Sequence, residues 1–328
     1  MNSNPYSSQH LLAELFPPDD PEEAESRPSV APPAPSSTRA LPKRAKAAAE
    51  PEAPKAPGDE AVDPGGPSGD RVPKGRVVAV VIQKGGVGKT TTTINLGAAL
   101  AEEGARVLLV DFDPQGALSV GLGLNPNEIE VSVYNLLLDR TVGLQEVVSG
   151  SSVPSLDVVP SNIDLSAAEV VLVTEVAREH LLKRCLEPAR KIYDYILIDC
   201  PPSLGLLTVN ALTAAHSVII PLECEYFALR GMALLMDTVA KVQERLNPEL
   251  EVLGIVATML EARTIHGREV LSRVGDAFGD KLFKTVIHKT IKFAEAPVAG
   301  IPILSYAPNS NGAQEYRDLG REVMVRAS

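Results

Sequence analysis

The sequence predicts an α/β fold, in which a mostly parallel, twisted sheet carries helices on both faces. From residue 76 onward, short apolar runs rich in Val and Ile alternate with longer helical patterns, the order typical of parallel strand–helix–strand units. The first run, residues 77–82, has no polar position, as expected of a strand that is buried on both sides. The pattern that follows it, at residues 94–100, is helical and has small residues on one face.

The first 75 residues differ in composition from the rest of the chain. They hold 15 of the 27 prolines, spread among Ala, Ser, Glu, Asp and Lys. Such a segment buries too little apolar surface to offset its chain entropy, so residues 1–75 are predicted to be a disordered tail and residues 76–328 a folded domain. Residues 8–16 are an exception, because their leucines and Phe16 fall along one side of a short helix. This segment is either a linear motif that folds onto a partner's groove or a few apolar residues in the tail.

Composition excludes several classes of protein. A net charge of −11 over 328 residues argues against a general polyanion binder, so any nucleic-acid site has to be a local basic patch. The three cysteines lack C-x-x-C spacing and cannot all pair, which favours a reducing compartment. No apolar run approaches the roughly 18 residues needed to span a bilayer, and the N-terminus is too polar for a secretory signal. We therefore expect a cytoplasmic protein with no membrane partner.

The loop after the first predicted strand carries the strongest functional signal. It reads Gln-Lys-Gly-Gly-Val-Gly-Lys-Thr-Thr over residues 83–91 and lies between a strand and a helix, as a phosphate-binding loop does. Its glycines let backbone N–H groups point into the turn, and the helix adds its positive N-terminal dipole. In such a loop Lys89 reaches the β- and γ-phosphates and the Thr90 hydroxyl holds Mg²⁺. The predicted nucleotide-binding residues are Gly85, Gly86, Val87, Gly88, Lys89, Thr90 and Thr91.

The same loop departs from the ordinary Walker A pattern, because Gln83 stands where that pattern has glycine and Lys84 follows it. It thereby resembles the deviant Walker A loop, K-G-G-x-G-K-[ST], of the ParA/MinD superfamily of ATPases. The resemblance implies a P-loop NTPase fold, with ATP and Mg²⁺ as cofactors and a homodimer that encloses two ATP molecules. It further implies that Lys84 acts in trans, on the phosphates bound by the other subunit, so that Lys84 and Lys89 are both predicted catalytic residues.

Acidic residues follow two further predicted strands. Asp111 and Asp113 come at the end of the strand predicted at residues 106–111, and Asp199 ends an apolar run later in the chain. Carboxylates at the carboxyl ends of parallel strands lie where such folds bind ligands, although Asp111 or Asp113 could simply cap a turn. The D-x-D-P-Q-G and D-x-P-P-S runs resemble those of ParA proteins. The resemblance implies that Asp113 is catalytic, linked to Mg²⁺ and the attacking water, and that Asp199 is the Walker B acid. The predicted metal-binding set is therefore Thr90, Asp113 and Asp199.

Basic residues recur between positions 263 and 292, although acidic residues dilute them. They are either solvated faces of mixed charge or a patch, formed across the dimer, that contacts DNA phosphates without regard to sequence. ParA proteins have a similar A-R-T near Arg263 and an arginine-bearing segment where this chain has Lys289 and Lys292. These three residues are the predicted DNA-binding set, with lysine contacting phosphate as a point charge.

Four motifs in the same order, within residues 76–326, resemble those of ParA/Soj-type chromosome or plasmid partition ATPases. The resemblance implies a slow ATPase, stimulated by partner and DNA, whose ATP-bound dimer binds double-stranded DNA non-specifically on the nucleoid. A ParB-like centromere-binding protein would trigger hydrolysis and release. Two alternatives share the same ATP site: a ParA-like positioning ATPase for a protein cargo, and an ATP-gated, DNA-bound scaffold or regulator with little turnover.

Overall fold

A computed structural model describes residues 74–224, 226–261 and 265–327, so residues 1–73, with the 8–16 segment, lie outside the described part of the chain. Its strands are β1 (Arg76–Val80), β2 (Val107–Asp111), β3 (Ser149–Gly150), β4 (Leu156–Val159), β5 (Tyr195–Asp199), β6 (Ser217–Glu223), β7 (Glu251–Leu260) and β8 (Leu282–His288). They form one sheet in the order β3-β4-β2-β5-β1-β6-β7-β8. Every neighbouring pair is parallel except β3 and β4, which run antiparallel. The predicted mostly parallel α/β fold is confirmed.

Helices connect these strands. They are α1 (Lys89–Glu102), α2 (Ala117–Gly121), α3 (Val133–Leu138), α4 (Leu144–Val147), α5 (Leu165–Val171), α6 (Leu181–Leu186), α7 (Leu206–Ala214), α8 (Tyr226–Arg245), α9 (Ile265–Phe278), α10 (Lys292–Val298), α11 (Ile303–Tyr306) and α12 (Asn311–Arg326). Short 3₁₀ turns at Pro126–Glu128, Leu172–Thr174, Arg178–His180, Ala189–Lys191 and Gly279–Lys281 complete the described elements. Within the described residues, no helix combines the length and apolar character that crossing a bilayer requires.

A hydrophobic core lies on each face of the sheet, which explains why the first strand is apolar at every position. Val77 and Ala79 of β1 join the core that includes residues of α6, α7 and α8. Val78, which points the opposite way, joins the core that includes residues of α1 and α12. Because both faces are covered, a strand at the centre of this sheet has no position for a solvated side chain.

Two predicted boundaries shift in the structure. The strand predicted at 77–82 ends at Val80, and the chain then turns into the glycine-rich loop. The sequence also predicts a helix over residues 232–246, and in the structure this helix begins earlier, at Tyr226. Gly231, inside that helix, lies so close to the loop that a Cβ there would come within 3.4 Å of the Gln83 carbonyl oxygen. Helix α8 therefore packs directly beside the loop.

Candidate nucleotide-binding site

The glycine-rich loop has the backbone conformation that its sequence predicts. Gly86 and Gly88 have φ angles of 79° and 86°, in the left-handed region that glycine adopts without steric strain. Gly88 is also the N-cap of α1, so the first N–H groups of this 14-residue helix face the loop. From β7, the Thr258 hydroxyl donates a hydrogen bond of 2.8 Å to the Val87 carbonyl and supports the loop from one side. A loop of this shape at a helix N-terminus suits a phosphate group.

Two lysines stand at this loop, one buried and one at its surface. The buried Lys89 begins α1, and its ammonium donates a 2.7 Å hydrogen bond to the carbonyl oxygen of Lys84. Burial lowers the pKa of Lys89, although the carboxylates of Asp199 and Asp113 oppose the change. The side chain of Lys84 is 30% exposed, and its Nζ lies 2.7 Å from Glu223 Oε2 at the end of β6. In this chain by itself, Lys84 is therefore paired within its own subunit.

The sheet brings two of the three acids together. β2 and β5 are neighbours, and their register places Asp111 directly beside Asp199. Asp199 accepts a 2.6 Å hydrogen bond from the Thr90 hydroxyl, whereas Asp111 accepts hydrogen bonds from both the N–H and the hydroxyl of Ser119. Burial is the main reason that the pKa of Asp199 rises to about 8 and that of Asp111 to about 6. The nearby Asp111 charge raises the pKa of Asp199 further.

Asp113 lies just beyond the end of β2, half-buried, on the turn that leads to α2. Its Oδ1 accepts a 3.0 Å hydrogen bond from the N–H of Gln115, so it does cap this turn, as one interpretation of the sequence predicted. Gly116, with a φ of 62°, closes the turn against the backbone of Ser161, where a Cβ would come within 3.0 Å of the carbonyl oxygen. Capping fixes the carboxylate of Asp113 at the same edge of the sheet as the loop.

The chemistry of these residues fits Mg²⁺. Thr90, Asp113 and Asp199 present hydroxyl and carboxylate oxygens, the ligands that Mg²⁺ prefers, and Thr90 already contacts Asp199. Among the described residues, no group of three or more His, Cys, Asp and Glu side chains is arranged to hold a metal by itself. Mg²⁺ commonly binds through one or two carboxylates together with nucleotide phosphates and water, so a small protein ligand set is appropriate here.

Two residues at this site were not predicted from the sequence. Ser119 holds Asp111 and, through its hydroxyl, accepts a 3.0 Å hydrogen bond from the N–H of Ser161. No sequence signal indicates this role, because it depends on how α2 folds back over β2. Glu223 could have been found: it is an acid at the carboxyl end of a parallel strand, the same feature that singled out Asp111 and Asp199.

The predicted DNA-binding residues divide between described and undescribed parts of the chain. Arg263 lies outside the described residues. Lys289 follows the end of β8, and its Nζ lies 2.6 Å from Glu261 Oε1, just after β7. Lys292 is the half-buried first residue of α10. Because β1, β7 and β8 run parallel, Lys289 and Lys292 lie at the same edge of the sheet as the glycine-rich loop.

Comparison with known proteins identifies the family. A family model described as an AAA domain, AAA_31, matches residues 75–252. The sporulation initiation inhibitor protein Soj of Bacillus subtilis is 51% identical over 249 residues, which cover 76% of this chain and 98% of that protein. This chain belongs to the ParA/Soj family of partition ATPases. The chromosome partitioning protein ParA of Caulobacter vibrioides, another member, is 46% identical over 76% of this chain and 94% of its own. The predicted family is thereby confirmed.

A solved structure with the same fold was determined with a nucleotide. It is described as cobyrinic acid a,c-diamide synthase from Mycobacterium smegmatis with bound ATP analog and magnesium. Its sequence is 42% identical to this ParA/Soj-family chain, the match covers 75% of this chain and 93% of that one, and the TM-score is 0.66. The activity in that description belongs to that protein.

Proposed function

We propose that this ParA/Soj-family chain is a slow ATP hydrolase that binds ATP and Mg²⁺ at the glycine-rich loop. One observation carries the proposal: folding brings Thr90, from the start of α1, into contact with the buried Asp199 at the end of β5, directly beside the loop. A hydroxyl and a carboxylate joined in this way form the protein side of a magnesium–nucleotide site. The solved relative with a bound ATP analog and magnesium supports it.

Each residue of the site has a role that follows from its position. Lys89 and the loop N–H groups bind phosphate charge, since the ammonium is already directed across the loop to the Lys84 carbonyl. Thr90 and Asp199 would hold the metal, which would neutralise charge on the phosphates. Asp113, held at the same edge by its turn, positions the attacking water and accepts its proton. Most of the rate enhancement in phosphoryl transfer comes from such positioning and charge stabilisation.

The ATP-bound form is proposed to be a homodimer in which Lys84 contacts the nucleotide of the partner subunit. Lys84 supports this because it is a partly exposed cation at the rim of the loop, and its Nζ contacts the partly exposed carboxylate of Glu223. The test is the molar mass in Mg²⁺ and ATP, measured by light scattering. Lys84→Ala should remain monomeric while still binding ATP, whereas Lys289→Ala, which changes another ion-paired lysine, should dimerise normally. Unchanged dimerisation of Lys84→Ala contradicts the trans role.

The dimer is proposed to bind double-stranded DNA without sequence preference, through Arg263, Lys289 and Lys292. The net charge of −11 repels DNA from most of the surface, so contact requires a local patch, and the two lysines lie at one edge of the sheet. Arg263→Glu should weaken a gel shift on random-sequence DNA and leave ATP affinity unchanged. An unaltered gel shift dismisses the patch. A ParB-like protein bound to a chromosome or plasmid is the proposed trigger of hydrolysis.

Two other uses of the same site are distinguishable. A ParA-like ATPase that positions a protein cargo would show the same DNA binding, but its stimulation would come from a cargo-associated protein rather than a ParB-like one. A DNA-bound scaffold would dimerise on ATP with little turnover. The presence of Lys84, Lys89, Asp113 and Asp199 favours turnover over the scaffold. Phosphate release measured with and without DNA separates the scaffold from the ATPases.

A further inference from the structure

An apolar groove lies on the domain, formed by residues that the nucleotide site does not use. It has a volume of about 580 Å³. Helices α3, α5 and α6 surround it, together with the chain that leads from α3 into α4 and the 3₁₀ turn that follows α5. Its apolar lining includes Leu137, Leu138, Val142, Leu144, Val171 and Leu181, and its charged lining is mixed, with Arg140 and Arg184 beside Asp139 and Glu175. The groove therefore combines an apolar floor with charged side chains of both signs.

Apolar surface continues beyond the groove. Val171, which lines it, is 41% exposed, and its neighbours Val170, Val173 and Val176 are 76%, 60% and 88% exposed. A run of exposed valines next to an apolar groove is more than the scattered apolar residues of an ordinary surface. Such a surface usually binds another apolar segment.

The first described residues enter the domain beside this groove. The N–H of Gly75 donates a hydrogen bond of 3.3 Å to the Tyr193 carbonyl. Gly75 also lies so close to Arg190 that a Cβ would come within 2.7 Å of the Arg190 carbonyl oxygen. Arg190 is only two residues beyond Pro188, which lines the groove. The N-terminal 73 residues are thus attached to the domain next to the groove.

The N-terminal segment has the pattern that such a groove accommodates. In a helix over residues 8–16, Leu11, Leu12, Leu15 and Phe16 share one side, and the helix is about 14 Å long. The 57 residues of positions 17–73 have a root-mean-square span of about 40 Å if they behave as a flexible chain, enough to reach the groove.

We propose that residues 8–16 dock as an amphipathic helix in this groove of their own chain, with the leucines and Phe16 against its apolar lining. The length of chain outside the described residues, its point of attachment and its apolar periodicity all favour this occupant over another protein. Docking would bury Val171 and the groove-lining thiol of Cys185, which is half-buried in the domain.

The thiol of Cys185 provides a direct test in the full-length protein. The other cysteines, Cys200 and Cys224, are buried, so a brief maleimide reaction followed by peptide mass analysis reports on Cys185. The double variant Leu12→Asp and Leu15→Asp should label at least about five times faster than the natural chain. Ala13→Asp, which adds one negative charge outside the apolar side of the helix, should label at the natural rate. Equal rates for all three proteins overturn the proposal.

A cross-link identifies which molecule occupies the groove. In the full-length Leu15→Cys variant, oxidised glutathione should form a disulfide between position 15 and Cys185, two thiols being oxidised as the glutathione disulfide is reduced. The expected product has the mass of one chain. A product with the mass of two chains assigns the groove to a second copy, and absence of this disulfide together with an unprotected Cys185 shows that residues 8–16 do not occupy it. Either of these outcomes overturns docking within one chain.

Discussion

Replacing Glu223 by glutamine should strengthen ATP-dependent dimerisation. The Glu223 carboxylate holds the Lys84 ammonium at 2.7 Å within one subunit, and the two side chains are 23% and 30% exposed. If Lys84 acts on the partner subunit's nucleotide, this ion pair has to break when the dimer forms. Glu223→Gln removes the competing charge while keeping the size of the side chain.

The magnitude follows from the number of pairs that break. A partly exposed ion pair contributes about 0.2–1 kcal/mol, and a symmetric dimer breaks two of them, so Glu223→Gln should tighten the dimer by about 2- to 25-fold at 1.4 kcal/mol per tenfold. High salt should reduce the difference between the two proteins, because salt screens the pair in the natural chain.

The assay is sedimentation equilibrium in Mg²⁺ and a non-hydrolysable ATP analogue, over a series of protein concentrations. Glu261→Gln is the matched control, since it removes the carboxylate from a different lysine pair, the 2.6 Å contact with Lys289. The control should dimerise like the natural protein. A Glu223→Gln dimer that is as weak as the natural one, or weaker, would show that Lys84 need not leave Glu223 and would refute this argument.

Three further predictions concern hydrolysis, DNA and pH. Asp113→Ala should lower the ATP turnover rate by about 100-fold or more while leaving the dimer on DNA, and rapid release in a filter-binding assay would contradict its catalytic role. Lys289→Glu combined with Lys292→Glu should weaken DNA binding. The slope of log affinity against log salt concentration should become shallower by about 0.9 for each phosphate contact that is lost, and an unchanged slope would exclude both lysines. In EDTA, the free energy of unfolding should fall as pH rises from about 4 to about 8, because the folded state holds a proton on Asp199 well above the ordinary pKa of 3.8. Asp199→Asn should flatten that decline in urea titrations, and an equally steep decline would show that another group causes it.

Much of the nucleotide site could be predicted from local sequence. Gly86 and Gly88 indicate positive φ angles, and the strand before them and the helix after them indicate a phosphate-binding loop, because all of these features lie within one short stretch of chain. The acids at strand ends were found in the same way. Ser119 was not, because its contact with Asp111 depends on the turn that carries α2 back over the sheet.

The order of strands and helices and the phosphate-binding loop are properties of contiguous residues, so local patterns were sufficient for them. The roles of the acids came from the resemblance of their short motifs to those of ParA proteins. Local sequence could not predict which strands become neighbours, because strand pairing depends on how two cores pack on opposite faces of the sheet. Only the folded sheet places Asp111 beside Asp199 and directs Lys84 to Glu223 at the end of β6. The groove likewise exists only after helices from separate parts of the chain have packed together.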